Sequence, residues 1–394
     1  MSDTAAEKPG GWFGIISSAA TAVVVGFAST ILLIMEAARA VGANPAQQAS
    51  WAAALCFGMA LTTFWLSWRH RMPIITAWST PGAALIATSA GGISYPEAIG
   101  AFVVAGLLMA ATALVTPLAK AIARIPAPIA SAMLAGVLLR YTLGVPQAAQ
   151  SLPLYVLPLI VVFFALRLLV PVFAVPVVVA LGVIMAALGG LLGAGCCALG
   201  VTGLTFDMPV FTSTAIIGLG VPLYLVTMAS QNLPGFAVLR AAGYNPPVKE
   251  SLLVTGLASA VMAPSGSHAV NLAAITASLV TGPETHPDPA QRWKMAWPYL
   301  VLYGLVGLGA ASLVGILAAL PAALITAIAG LALFGPLMGS VTAMMREARD
   351  IESALVTFLV TASGLSLFGV GSAFWGLVAG LLLFGARHMV SLRA

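Results

Sequence analysis

The chain has 394 residues, 61% hydrophobic and 7% charged, with a formal net charge of +5; ordinary soluble domains carry about 25% charged residues. Its 16 Lys and Arg and 11 Asp and Glu cannot cover the surface of a water-soluble protein of this size, and the mean hydropathy of +1.07 agrees. Soluble globular, disordered and disulfide-built secreted classes are excluded, which leaves a polytopic membrane protein, because lipid requires backbone polar groups to be satisfied within a helix or a closed barrel.

A barrel would show alternating segments of about ten residues. The apolar runs here are continuous, so the expected class is an all-α polytopic membrane protein. A crossing takes about 20 apolar residues. In chain order the expected spans are 15–38, 49–67, 73–91, 97–118, 126–144, 152–169, 172–194, 211–239, 248–263, 264–281, 296–319, 322–344, 352–368 and 372–389, about 14 in all. The start, Met1 to Gly11, is polar and the first apolar run continues too long for a cleavable signal peptide. Abundant small residues, 40 Gly among them, suit close helix packing in lipid.

Basic residues orient these spans, since cytoplasmic loops carry excess Lys and Arg. With the N-terminus inside, the cytoplasmic side collects Lys8, Arg69, Arg71, Lys120, Arg124, Arg167, Arg240, Lys249, Arg292, Lys294, Arg346, Arg349, Arg387 and Arg393, and the outside only Arg39 and Arg140. Dropping one broken span would destroy this asymmetry, so both termini are expected inside. The basic residues are too dispersed to form a nucleic-acid surface; the longest run is Arg69-His70-Arg71. Cys56, Cys196 and Cys197 form no metal pattern, and the adjacent pair reads as packing. With no Ser-His-Asp triad, HExxH, Walker loop or CxxC, no enzyme, cofactor or metal is expected.

Residues 28–50 and 229–251 match at an offset of 201, most densely where Arg39-Ala40-Val41-Gly42-Ala43-Asn44-Pro45 meets Arg240-Ala241-Ala242-Gly243-Tyr244-Asn245-Pro246. The chain divides into a first repeat, 1–200, and a second, 201–394. Seven spans per repeat is odd, so the second must enter the membrane from the opposite side. Secondary transporters are built this way, with substrate held at the midplane between repeats.

The third span is broken at Trp78-Ser79-Thr80-Pro81-Gly82. A hydroxyl cap at Ser79 or Thr80 followed by Pro81 predicts a helix starting near mid-membrane, after an extended run through Ile74-Ile75-Thr76-Ala77-Trp78. The tenth span repeats the pattern at Pro264-Ser265-Gly266-Ser267-His268, where Ser265 or Ser267 is expected to cap a helix reaching about Thr281. Two opposed N-termini, each with unpaired N–H groups and a partial positive charge of about +0.5, would form an anion site. The bland account is two kinked helices with structural prolines.

Polar residues near these breaks are few, so each carries weight. His268 is the one histidine placed at mid-membrane and reads as substrate contact or proton carrier. Asn271, three residues on, is expected on the same face. Gln231 and Asn232 offer amide groups in the eighth span, with interhelical bonding as the alternative. Glu36 reads either as an ion-pair partner of Arg39 or as a proton-coupling group. Glu97 and Glu250 read as first-turn acids matched to the helix dipole.

Ser230-Gln231-Asn232-Leu233-Pro234-Gly235-Phe236 with Gly243-Tyr244-Asn245-Pro246-Pro247 resembles the benzoate transporter (BenE) family, as do Trp78-Ser79-Thr80-Pro81-Gly82 and Ser265-Gly266-Ser267-His268-Ala269-Val270-Asn271. The resemblance implies a benzoate/proton symporter of the bacterial inner membrane. It implies a seven-plus-seven inverted-repeat fold similar to that of uracil/xanthine and sulfate/bicarbonate carriers, with half-helices at spans 3 and 10. A core domain from 15–118 and 211–319 would hold the carboxylate. A gate domain from 126–194 and 322–389 would complete alternating access, and a homodimer is compatible with the likeness. Substrate contacts would come from Ser79, Thr80, Pro81, Gly82, Gln231, Asn232, Ser265, Gly266, Ser267, His268 and Asn271, and proton coupling from His268 or Glu36. The nucleobase carriers resembled here place glutamates in spans eight and ten, where this chain has Gln231, Asn232 and His268. A carrier of another anion or of a nucleobase, and an uncoupled anion channel, share the fold arguments.

Overall fold

The computed structural model describes residues 11–89, 92–115, 126–193, 200–273, 275–365, 367 and 371–391. Cys196, Cys197, Lys8, Lys120, Arg124 and Arg393 lie outside the described residues. The chain opens with α1 (Trp12–Ala40) and α2 (Pro45–His70), joined by the Arg39–Pro45 motif. Gly42 takes φ +80, and the Gly42 and Ala43 N–H groups close back on the Arg39 and Ala38 carbonyls. Glycine alone adopts this left-handed stop without strain. The second copy folds alike: Gly243 has φ +85, and Gly243 and Tyr244 close on Arg240 and Leu239. Asn44 then starts α2 with a reciprocal cap, accepting from Gln47 N–H at 3.0 Å while the Gln47 side chain accepts from Asn44 N–H at 2.9 Å. Asn44→Ala is expected to cost about 1 kcal/mol, read as a lower thermal midpoint in detergent; an unchanged midpoint would show the cap to be idle.

After α2 the chain runs through β1 (Thr76–Trp78) into α3 (Thr80–Ser89), α4 (Tyr95–Leu114), α5 (Ala127–Thr142), a short helix Gly144–Ser151, α6 (Pro153–Leu169) and α7 (Ala174–Leu188). Ser94 and Glu97 form the capping box of α4, as a first-turn acid should. An extended segment leads to α8 (Ser213–Ala241), which contains π-turns at Ile216–Gly220 and Met228–Asn232. Then follow α9 (Val248–Met262), β2 (Val270–Leu272), α10 (Ile275–Ser278), α11 (Ala296–Leu308), α12 (Ala310–Ala318), α13 (Ala322–Met344), α14 (Ile351–Ala362) and α15 (Ser372–Ser391). Among the described residues, six helices are long and apolar enough to cross a bilayer, and Pro289–Leu308 with Ala310–Ala318, bent by 56°, would make a seventh.

Two expectations need correction. The fold is not wholly helical: β1 and β2 pair antiparallel, with Thr76 opposite Leu272, Ala77 opposite Asn271 and Trp78 opposite Val270. Each broken segment leaves backbone groups that helices cannot satisfy, and buried away from water they satisfy one another. Nor do Ser265 and Ser267 cap the next helix. Ser265 ends a 3-10 turn, Gly266 sits at φ +99, and Ser267 N–H returns to the Met262 carbonyl at 3.3 Å. This segment closes α9, and the described helix begins only at Ile275.

The helices form two bundles. In the first, α4 packs on α9, α2 on α11 and α1 on α3; in the second, α5 packs on α13 and α14, and α14 on α15. The bundles meet where α1 touches α13 and α7 and where α3 touches α5.

Candidate functional site

A cavity of about 360 Å³ lies where the bundles meet. The first bundle lines it with Thr30, Trp78, Thr80, Pro81, Ser230, Gln231 and Thr276, the second with Ser131, Leu134, Pro336 and Ser340. Among the described residues no ionisable side chain lines it. Hydroxyls and one amide are the polar groups on an otherwise apolar wall, and Trp78 is the aromatic one. The Trp78 indole N–H donates to Thr30 Oγ1 at 2.7 Å, and its ring lies 5.8 Å from that of Phe27, so it is held in place.

Ser79 organises the start of α3. Its Oγ accepts from Gly82 N–H at 3.0 Å and from the Thr227 hydroxyl at 2.8 Å. Its carbonyl accepts from Ala83 N–H at 2.8 Å and lies 2.9 Å from His268 Nε2. The serine hydroxyl has therefore taken one of the N–H groups expected to face an anion. Pro81 has none to offer. The Thr80 N–H is the first-turn donor without an acceptor among the described residues, and Thr80 is on the cavity wall. Gly82 is a packing position: a β-carbon there would stand 2.5 Å from Leu223 Cδ1.

His268 is buried behind this helix start and does not line the cavity. Trp51 Nε1–H donates to its Nδ1 at 3.1 Å. Nδ1 is thus an acceptor, and Nε2 carries the hydrogen that reaches the Ser79 carbonyl. Both nitrogens are engaged in the neutral ring. The imidazole joins α2, the approach to β2 and the start of α3 in one linkage.

Of the other expected contacts, Gln231 reaches the cavity and its neighbour Asn232 does not. Asn232 is buried; its Oδ1 accepts from Leu272 N–H at 2.9 Å, and its amide lies 3.3 Å from Met228 Sδ. It fastens the π-turn to β2. Asn271 does not share a helical face with His268, because that stretch is extended; its amide donates to the Leu272 carbonyl at 2.9 Å. Ser265, Gly266 and Ser267 lie off the cavity, with Gly266 against Trp51 and Tyr95 and the Ser265 carbonyl accepting from the Ser50 hydroxyl at 2.9 Å. Glu36 makes no ion pair with Arg39 among the described residues and is within electrostatic reach of Tyr141 on α5. Sequence reasoning missed Thr30, Ser131, Ser230, Thr276 and Ser340 on the wall, and Trp51 and Thr227 behind it.

The comparisons agree with this architecture. The family model described as benzoate membrane transport protein, BenE, matches residues 13–385. The chain is 38% identical over 370 residues to inner membrane protein YdcO of Escherichia coli, covering 94% of this chain and 95% of that one. It is 32% identical over 363 residues to the benzoate membrane transport protein of Acinetobacter baylyi, covering 92% of each. Among solved structures, the transmembrane domain of the cyanobacterium bicarbonate transporter BicA superposes with a TM-score of 0.61 at 17% identity, covering 93% of this chain and 97% of that one. The last likeness shows a shared fold. With a family match over nearly its whole length and two relatives above 30% identity, the chain belongs to the benzoate membrane transport protein family, BenE, and is a multi-pass membrane transporter.

Proposed function

We propose that the protein imports benzoate or a similar aromatic carboxylate with protons across the bacterial inner membrane by alternating access. The observation that carries this reading is the cavity between the bundles: hydroxyls from both bundles with the Gln231 amide, an apolar remainder, a tryptophan and, among the described residues, no charged side chain. The carboxylate sits by Thr80 N–H and Gln231, and the ring lies along Trp78, Leu134 and Pro336. Donors aimed at a carboxylate with an apolar pocket for the ring suit a small aromatic acid.

A lone carboxylate in a wall without cations would bury an uncompensated charge, which is costly in a low-dielectric site. A proton taken up with the anion removes that cost. His268 is assigned the coupling proton, because it touches Ser79, the residue that caps α3. A second proton on Nδ1 would face the Trp51 N–H, so the protonated ring must break that bond. Protonation is thereby tied to the geometry behind the substrate. Glu36, within electrostatic reach of Tyr141 on α5, is the second coupling candidate.

In this reading the first bundle is the core, 15–118 and 211–319, and the second the gate, 126–194 and 322–389. The chain crosses the membrane about fourteen times as two inverted repeats, 1–200 and 201–394, with half-helices at spans 3 and 10 and both termini cytoplasmic. The matching helix stops at Gly42 and Gly243 support the repeat. Rocking of the core against the gate opens the cavity to each side in turn.

Proteoliposomes with labelled benzoate and an imposed inward proton gradient test the proposal. Expected is gradient-driven accumulation, blocked by unlabelled benzoate and not by bicarbonate, sulfate or uracil. Absence of uptake, or equilibration indifferent to the gradient, removes the symporter reading; the latter result marks an anion channel. Gln231→Leu is expected to weaken benzoate binding about tenfold or more, the range for losing a hydrogen bond to a charged group. An unchanged affinity would take the carboxylate away from Gln231.

A further inference from the structure

We propose that the end of the molecule where the start of α1, the end of α2 and the start of α11 meet is a binding site for the headgroup of an anionic phospholipid. Five of the chain's eight tryptophans gather there: Trp12, Trp65, Trp68, Trp293 and Trp297. Trp12, Trp65, Trp68 and Trp297 are 57%, 48%, 42% and 46% exposed, an unusual degree for indoles unless lipid covers them. The ring centres of Trp65 and Trp68 stand 6.0 Å apart on the last turns of α2, and Trp297 packs on Phe64 of the same helix at 4.7 Å. Indoles concentrate at the membrane–water boundary, where an apolar body and a polar N–H are both satisfied.

Cations stand among these rings. The Arg71 guanidinium lies 4.2 Å from the centre of the Trp293 ring, and the Lys294 ammonium 5.9 Å from that of Trp12. Arg69 is exposed two residues before Arg71. None of the three pairs with an acid among the described residues. Among the described residues, the acids of this end are engaged or few: Glu250 contacts His70 at 2.9 Å, Asp288 accepts from Ala290 N–H, and Glu284 is the other. Arg71 has φ 53, the one non-glycine residue at positive φ among the described residues. The backbone thus adopts an uncommon conformation at the residue that stacks on Trp293. A stacked guanidinium keeps its edge N–H groups free, and that edge matches two phosphate oxygens. A soluble acidic partner would satisfy the cations and leave the indoles wet; a phospholipid satisfies both.

The test uses the full chain in detergent, with lipid retention read by native mass spectrometry. Phosphatidylglycerol is expected to be retained over phosphatidylcholine. The double variant Arg71→Gln, Lys294→Gln should weaken phosphatidylglycerol retention by roughly 10- to 30-fold, the effect of losing two cations near an anionic surface. Millimolar inorganic phosphate should not displace the lipid. Equal retention of the two lipids, unchanged phosphatidylglycerol binding by the variant, or displacement by phosphate at equal concentration would each overturn the proposal. Should the variant fail to fold, the wild-type chain still decides: retention must fall steeply with added salt, and salt-insensitive retention overturns the site.

Discussion

His268→Ala is expected to abolish gradient-driven uptake and to lower stability by about 2–4 kcal/mol. The stability loss follows from what the imidazole holds. Without it the Trp51 indole N–H, buried beside Phe102, loses its acceptor, and the Ser79 carbonyl keeps only the bond from Ala83. A buried donor left unpaired costs about 1–3 kcal/mol, and the space vacated by the ring adds to this. Loss of transport alone would not separate a proton carrier from a structural pin. His268→Gln and Trp51→Phe do so. The glutamine keeps polar atoms at the position but does not titrate, so a folded variant should bind benzoate and cease to respond to the pH gradient. The phenylalanine removes the indole N–H that Nδ1 accepts, together with part of the ring packed on Tyr95 and Phe102, so in a folded protein it should change the pH profile of uptake. Gradient-driven uptake at the wild-type level in folded His268→Gln would leave the histidine as a pin and move the coupling proton elsewhere, with Glu36 the next position to substitute.

The sequence carried local signals well and long-range partners poorly. Arg39–Pro45 and Arg240–Pro246 were legible because a glycine stop followed by an Asn-Pro start is written in consecutive residues, and both copies fold as such. Ser79-Thr80-Pro81 was legible for the same reason, and α3 starts there. The similar string Pro264-Ser265-Gly266-Ser267 misled. Its serines could cap a helix, but Gly266 turns the chain against Trp51 and Tyr95, and an extended stretch follows. A motif states what a segment can do alone; the neighbour that forecloses it lies elsewhere in the chain. His268 shows the same limit. Its isolation in an apolar region pointed to a special role, yet nothing local names Trp51, 217 residues away, as its partner. The second bundle's side of the cavity was invisible, because Ser131 and Ser340 stand in ordinary apolar helices and acquire meaning only when the bundles face each other.

Gly106→Leu or Gly256→Leu is expected to cost about 3 kcal/mol or more and to remove most folded protein. These glycines are where α4 and α9 touch backbone to backbone. A β-carbon on Gly106 would stand 2.6 Å from the Ala260 nitrogen and 2.8 Å from the Gly256 oxygen; one on Gly256 would stand 2.5 Å from the Ala110 nitrogen and 2.8 Å from the Gly106 oxygen. Backbone atoms cannot rotate aside as a side chain would, so the helices themselves must separate. Gly106 with Ala110 and Gly256 with Ala260 present the small-xxx-small spacing that lets membrane helices approach this closely. The two substitutions strain one contact, so the double variant should lose less than the sum of the singles. Gly304→Leu is the control: nothing lies within 4 Å of a β-carbon on α11 at that position. The measurement is monodisperse yield and thermal midpoint in detergent. The contact also bears on transport. α9 leads through residues 263–269 to β2, so the α4–α9 pair anchors the strand that meets β1 beside Ser79 and His268. The proposed rocking of the first bundle as one body needs such a joint to be stiff. A Gly106→Leu protein that melts with the wild type would mean the two helices are not in backbone contact, and the proposed rigid first bundle would lose that tie.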